Sequence, residues 1–113
     1  MIISSRAQER KEIKEKETEW ANTIKNRDGW KCVICGTDYH PNAHHIIPRE
    51  HKEYKFDYSN GITLCTKHHK FSRFISAHNA PFAFFMWLER YRYEQYCLAR
   101  VRAASLAKEE VWL

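Results

Sequence analysis

The stretch Ala43-His44-His45-Ile46-Ile47-Pro48 stands between two Cys/His clusters, Cys32-Val33-Ile34-Cys35-Gly36 before it and Leu64-Cys65-Thr66-Lys67-His68-His69 after it. Cys32 and Cys35 have two residues between them, as do Cys65 and His68, and 29 residues separate the pairs. Each pair offers a short bite and the chain between them closes a loop, the pattern of a tetrahedral Cys3His zinc site. Gly36 suits the tight reversal after the first pair, where a residue without a Cβ is least costly. Four ligands complete such a site, so His44, His45 and His69 are left over. Successive helical residues are turned by about 100°, so a helix that aims Cys65 and His68 at zinc aims His69 elsewhere. On a regular strand His44 and His45 point to opposite faces, and serving one site together would need a bend or bulge before Pro48.

Composition sets the frame around this centre. A chain of 113 residues makes one domain, and a domain this small buries only about 60–70% of its unfolded surface, so a zinc staple is a sensible folding element. No apolar run approaches the length of a membrane span, and Met1-Ile2-Ile3-Ser4 turns charged at once, unlike a signal peptide. Tight cysteine pairs would be wasted on disulfides, which suits a reducing cytoplasm. Lys and Arg number 19 against 14 acids. Residues 1–28 carry 7 against 6, residues 29–80 carry 7 against 4, and residues 81–113 carry 5 against 4. The positive excess sits in the middle, and a net positive charge suits a polyanion partner.

Along the chain, residues 5–27 hold no Gly or Pro and predict a helix capped by Ser4 or Ser5. Its first half is solvated and its second half docks Trp20 and Ile24. Asp28-Gly29 ends it. Residues 43–47 predict a short strand, 49–59 a polar loop, Asn60-Gly61 a turn and Ile62-Thr63-Leu64 a second strand. A helix is expected from about Thr66 to Ser76 with Phe71, Phe74 and Ile75 as its apolar side. From Pro81 to about 111 the sequence predicts one long helix or two shorter ones, with Phe84, Leu88, Tyr91, Gln95, Leu98 and Arg102 at helical spacing. Arg90, Arg92, Arg100 and Arg102 lie among aromatics there, a mixture that can grip nucleic acid but that more often belongs to a core. His51 and His78 read as ordinary side chains, and Cys97 as a small packed hydrophobe.

Cys-x2-Cys, His-His-Ile-x-Pro, Asn60 and Leu-Cys-x2-His-His, in this order across roughly residues 28–76, resemble the HNH endonucleases. The one departure is His68, where many relatives have cysteine, and it leaves the ligand count at four. The resemblance implies an α+β fold: a small zinc-stapled ββα-metal (His-Me finger) core flanked by N- and C-terminal helices. It implies a nuclease cutting double-stranded DNA, one strand per site, to leave 5′-phosphate and 3′-hydroxyl ends. His45 is then the general base and Asn60 orients its imidazole. His44 and His69 hold a catalytic Mg²⁺ or Mn²⁺, and Cys32, Cys35, Cys65 and His68 hold structural Zn²⁺. Arg49, Lys52, Lys55, Lys67, Lys70 and Arg73 surround the motif and would bind flanking phosphates. A zinc-stabilised DNA-binding module without catalysis is the alternative. Target site, and monomer against homodimer, stay open, as do restriction, mobile-element and phage roles of such a bacterial or phage-encoded intracellular protein.

Overall fold

The first helix, α1 (Arg6–Arg27), begins where Ser5 accepts a hydrogen bond from the Gln8 N–H at 3.1 Å. A computed structural model describes residues 5–111, so Ser4, the other candidate cap, lies outside the described residues. Only Trp20 and Ile24 of α1 are buried, and the charged first half is solvated, as its composition predicts. The helix stops at Asp28, whose carboxylate is 2% exposed and receives Arg27, Arg92 and the Thr63 N–H. Burial alone would raise this carboxyl's pKa. The two guanidinium groups outweigh that and hold it below the usual range. One aspartate thus joins the end of α1 to the sheet and to the C-terminal helices.

The sheet has two antiparallel strands, β1 (Pro41–His45) and β2 (Gly61–Cys65), with His44 opposite Ile62 and His45 opposite Gly61. β1 starts and ends two residues earlier than its apolar residues suggest. Ile46 and Ile47 are buried beyond it, and there the carboxamide of Asn60 replaces the ladder. Its Oδ1 accepts from the Ile47 N–H at 2.8 Å, while its Nδ2 donates to the Ile47 carbonyl at 3.0 Å. Asn60-Gly61 is not a tight hairpin turn either. Tyr58–Asn60 form a short 3-10 turn and Gly61 is extended. Glycine is required at 61 by proximity: a Cβ there would meet Ile24 and Trp20 at 2.5–2.6 Å. Gly36, with φ +76°, does make the reversal expected after the first cysteine pair.

The helix expected over 66–76 is not formed. After β2 the chain makes one π-helical turn, Lys67–Phe71, closed by the Ser72 N–H on the Lys67 carbonyl at 2.8 Å. Serine side chains explain the stop, because they capture backbone donors that a helix would use. Ser72 Oγ accepts from the N–H groups of Phe74 and Ile75, and Ser76 Oγ from those of Asn79 and Ala80. Phe71 and Phe74, expected on a buried side, are 68% and 88% exposed. The chain then folds back: the N–H groups of Ala77 and His78 donate to the carbonyls of His68 and His69, each at 2.9 Å.

Two helices follow, α2 (Pro81–Tyr91) and α3 (Tyr93–Val111), broken at Arg92. Phe84 and Leu88 of α2 and Ala99 of α3 enter the core with Ile46, Ile47, Ile62 and Leu64. Two of the arginines among the aromatics are structural, since Arg92 reaches Asp28 and Arg102 pairs with Asp57 at 3.2 Å. Gln95 of α3 donates to the carbonyls of Ser59 and Gly61. The result is the expected α+β architecture, a two-stranded sheet with flanking helices. No helix among the described residues is long and apolar enough to cross a membrane.

Candidate active site and metal centres

Cys32, Cys35, Cys65 and His68 converge, with every ligand atom within 4.8 Å of the others. Cys35 and Cys65 sulfurs are 3.8 Å apart; His68 Nδ1 lies 3.7 Å from Cys32 Sγ and 3.2 Å from Cys65 Sγ. Tetrahedral zinc with ordinary bond lengths requires about 3.8 Å between sulfurs and about 3.6 Å between sulfur and nitrogen. The four residues fit that ion. Burial and the neighbouring thiols push Cys65 up to about 11. At Cys32 burial acts the same way but is outweighed by backbone N–H groups of residues 65, 35 and 34, which favour the thiolate. Cys97 stands apart from the cluster.

The second cluster lies across the π turn. His68 is buried with Cys32 and Cys65, while the next residue, His69, faces His44 and His78. Adjacent residues therefore face separate clusters, as expected from their angular offset, although the turn is π rather than α. His44, His45, His69 and His78 line one cleft of about 430 Å³, with the exposed Arg49, Glu50 and Lys70. β1 keeps regular register through His45, so no bulge brings the two histidines together. Their side chains leave on opposite faces, His44 toward His69 and His45 toward Trp20, and the cleft wraps the end of the strand.

Burial drives His44 down to about 3 and His69 down to about 4, with the neighbouring imidazoles adding to the effect. Both are neutral at cellular pH and offer lone pairs. One ring nitrogen of each of His44, His69 and His78 lies within 4.8 Å of the others, and His69 Nε2 stands 3.1 Å from His78 Nε2, close enough to share one cation. This donor set fits a divalent ion.

His45 is held differently. Its ring stacks on Trp20, centroids 3.9 Å apart and planes 5° from parallel, and its Nε2 lies 3.0 Å from the Lys55 carbonyl. The expected direct bond from Asn60 to this imidazole is not made. Both ends of the Asn60 amide are engaged by Ile47 and by the Tyr54 carbonyl, at the two ends of the loop that leads to Lys55. Lys55, expected on phosphate, instead pairs with Glu17 at 2.8 Å and is mostly buried. Arg49, Lys52, Lys67, Lys70 and Arg73 are exposed.

Residues 32–75 match a family model described as HNH endonuclease. Over this segment the chain is similar to the HNH endonucleases. The HNH match spans both cysteine pairs, His44, His45, Asn60 and His69, and ends before His78. No curated protein and no solved structure matches the chain. Sequence reasoning passed over His78 and Trp20's contact with His45. A histidine nine residues past His69 carries no spacing signal, and its approach depends on the serine-driven reversal.

Proposed function

We propose that the chain is a cytoplasmic, single-domain, metal-dependent HNH endonuclease that hydrolyses double-stranded DNA, one strand per active site. The observation that carries this reading is His45 fixed by a carbonyl in the same cleft as His44 and His69. A carbonyl only accepts, so Nε2 of the neutral imidazole bears the proton and Nδ1 keeps its lone pair. Nδ1 is therefore the atom that takes a proton from the attacking water. Trp20 covers one ring face and limits the imidazole's motion. Asn60 orients His45 through the backbone, by tying Ile47 and Tyr54 and so fixing the loop that presents the Lys55 carbonyl.

His44 and His69 would hold the divalent cation, which supplies charge relief on the phosphate and stabilisation of the leaving 3′ oxygen. Arg49, Lys52, Lys67, Lys70 and Arg73 bind neighbouring phosphates and set the strand across the cleft. Lys55 has a structural part, locking the loop to α1 through Glu17. The products are 5′-phosphate and 3′-hydroxyl ends, and a monomer nicks.

Paired alanine variants test the roles. His69→Ala loses cleavage but regains part of it at high Mn²⁺, which accepts irregular nitrogen sites better than Mg²⁺. His45→Ala loses the base, and no concentration of metal restores it. Parent-like cleavage by His45→Ala at neutral pH would assign water activation to another group.

A further inference from the structure

His78 lies outside the HNH match, yet it completes a triangle with the two proposed cation ligands. Ring centroids are 4.9 Å apart for His44–His69, 5.3 Å for His44–His78 and 4.6 Å for His69–His78. Three imidazoles on one cation at about 2.1 Å place their centroids about 4.6 Å apart for a right angle at the ion and about 5.3 Å for a tetrahedral one. All three sides fall within that interval. The Nε2 atoms of His69 and His78 are 3.1 Å apart, and ligand nitrogens in such a site stand about 3.0–3.4 Å apart.

We propose that His78 is a third ligand, and that His44, His69 and His78 form an all-imidazole site for a borderline transition ion rather than Mg²⁺. This rests on the cation site assigned above and extends it to its coordination number and ion class. The backbone is built to deliver His78: its N–H binds the His69 carbonyl, and a bridge between Ser76 and Ala80 closes the reversal. One N–H···N bond would also account for the 3.1 Å spacing. Such a bond, however, places no demand on the position of His44, whereas a shared ion requires the near-equal triangle. No carboxylate joins the three nitrogens among the described residues. Magnesium prefers oxygen donors, and imidazole suits the later divalent ions.

The decisive experiment adds Co²⁺ to protein already carrying one zinc and records X-ray absorption at the cobalt edge. That edge reports only the second site and counts its imidazoles without any cleavage. The parent should show three, His78→Ala two, with cobalt affinity lowered about tenfold or more and one zinc retained by both. Mg²⁺ should displace Co²⁺ only at about a hundredfold excess or beyond. Two imidazoles in both proteins would overturn the proposal and leave His78 as a hydrogen-bond partner of a two-histidine site. Cobalt that fails to bind the parent, or binds it and His44→Ala alike, would sink the cation site itself. His78→Gln repeats the count if the alanine variant loses zinc or helicity.

Discussion

At the scale of single residues, the proposed division of labour rests on where each imidazole is held. His44 and His69 are neutral because burial strips them of water, and neutral nitrogens are what a cation needs. His45 is half-buried, and burial lowers its pKa from the ordinary value. The charges of Lys55 and Arg49 act in the same direction, and the bond to the Lys55 carbonyl acts against them. The sign follows directly: a base works when deprotonated, so a lowered pKa moves the acid limb of the rate profile down. Single-turnover cleavage should rise with pH and reach its plateau with a midpoint below the usual histidine value of about 6.5. A midpoint at or above that value would mean that the titrating base is not the His45 seen here.

At the scale of elements, α1 and the sheet meet through Gly61, where the helix comes close enough to place Trp20 against His45. Gly61→Ala should cost about 1–3 kcal/mol in denaturant unfolding, the usual penalty for overpacking. It should also slow cleavage, because the atoms it displaces include those of the Trp20 ring. Loss of stability with an unchanged rate in the folded fraction would separate the stack from catalysis. Part of this arrangement was legible in the sequence. The Cys3His cluster, α1 and the Trp20/Ile24 docking face follow from spacing and periodicity, which are local properties of the chain. The helix over 66–76 did not form because Ser72 and Ser76 bond the backbone themselves, a competition that apolar spacing does not register. Asn60 was legible as important, yet its partners depend on where Ile47 and Tyr54 come to rest. Ring neighbours such as Trp20 and His78 are set by tertiary approach alone.

At the scale of the whole molecule, the middle segment carries the largest charge excess and lends Arg49 and Lys70 to the histidine cleft, while residues 1–28 nearly cancel theirs. Arg49→Ala and Lys70→Ala, both at the cleft, should each weaken binding of a DNA duplex and reduce the salt slope by about one unit. Lys55→Ala, whose ammonium is taken by Glu17, should leave that slope in place. Unchanged slopes for Arg49→Ala and Lys70→Ala would move the DNA path to another face. The central claim, that this chain cuts DNA rather than only binds it, is tested most directly on supercoiled plasmid with the parent protein and a divalent ion. Nicked circles should appear before any linear product, with 5′-phosphate at the nick, and no reaction should occur when a chelator is present from the start. Plasmid that stays supercoiled at every ion tested, with the protein folded, zinc-loaded and bound to it, would contradict the claim and make the chain a DNA-binding module.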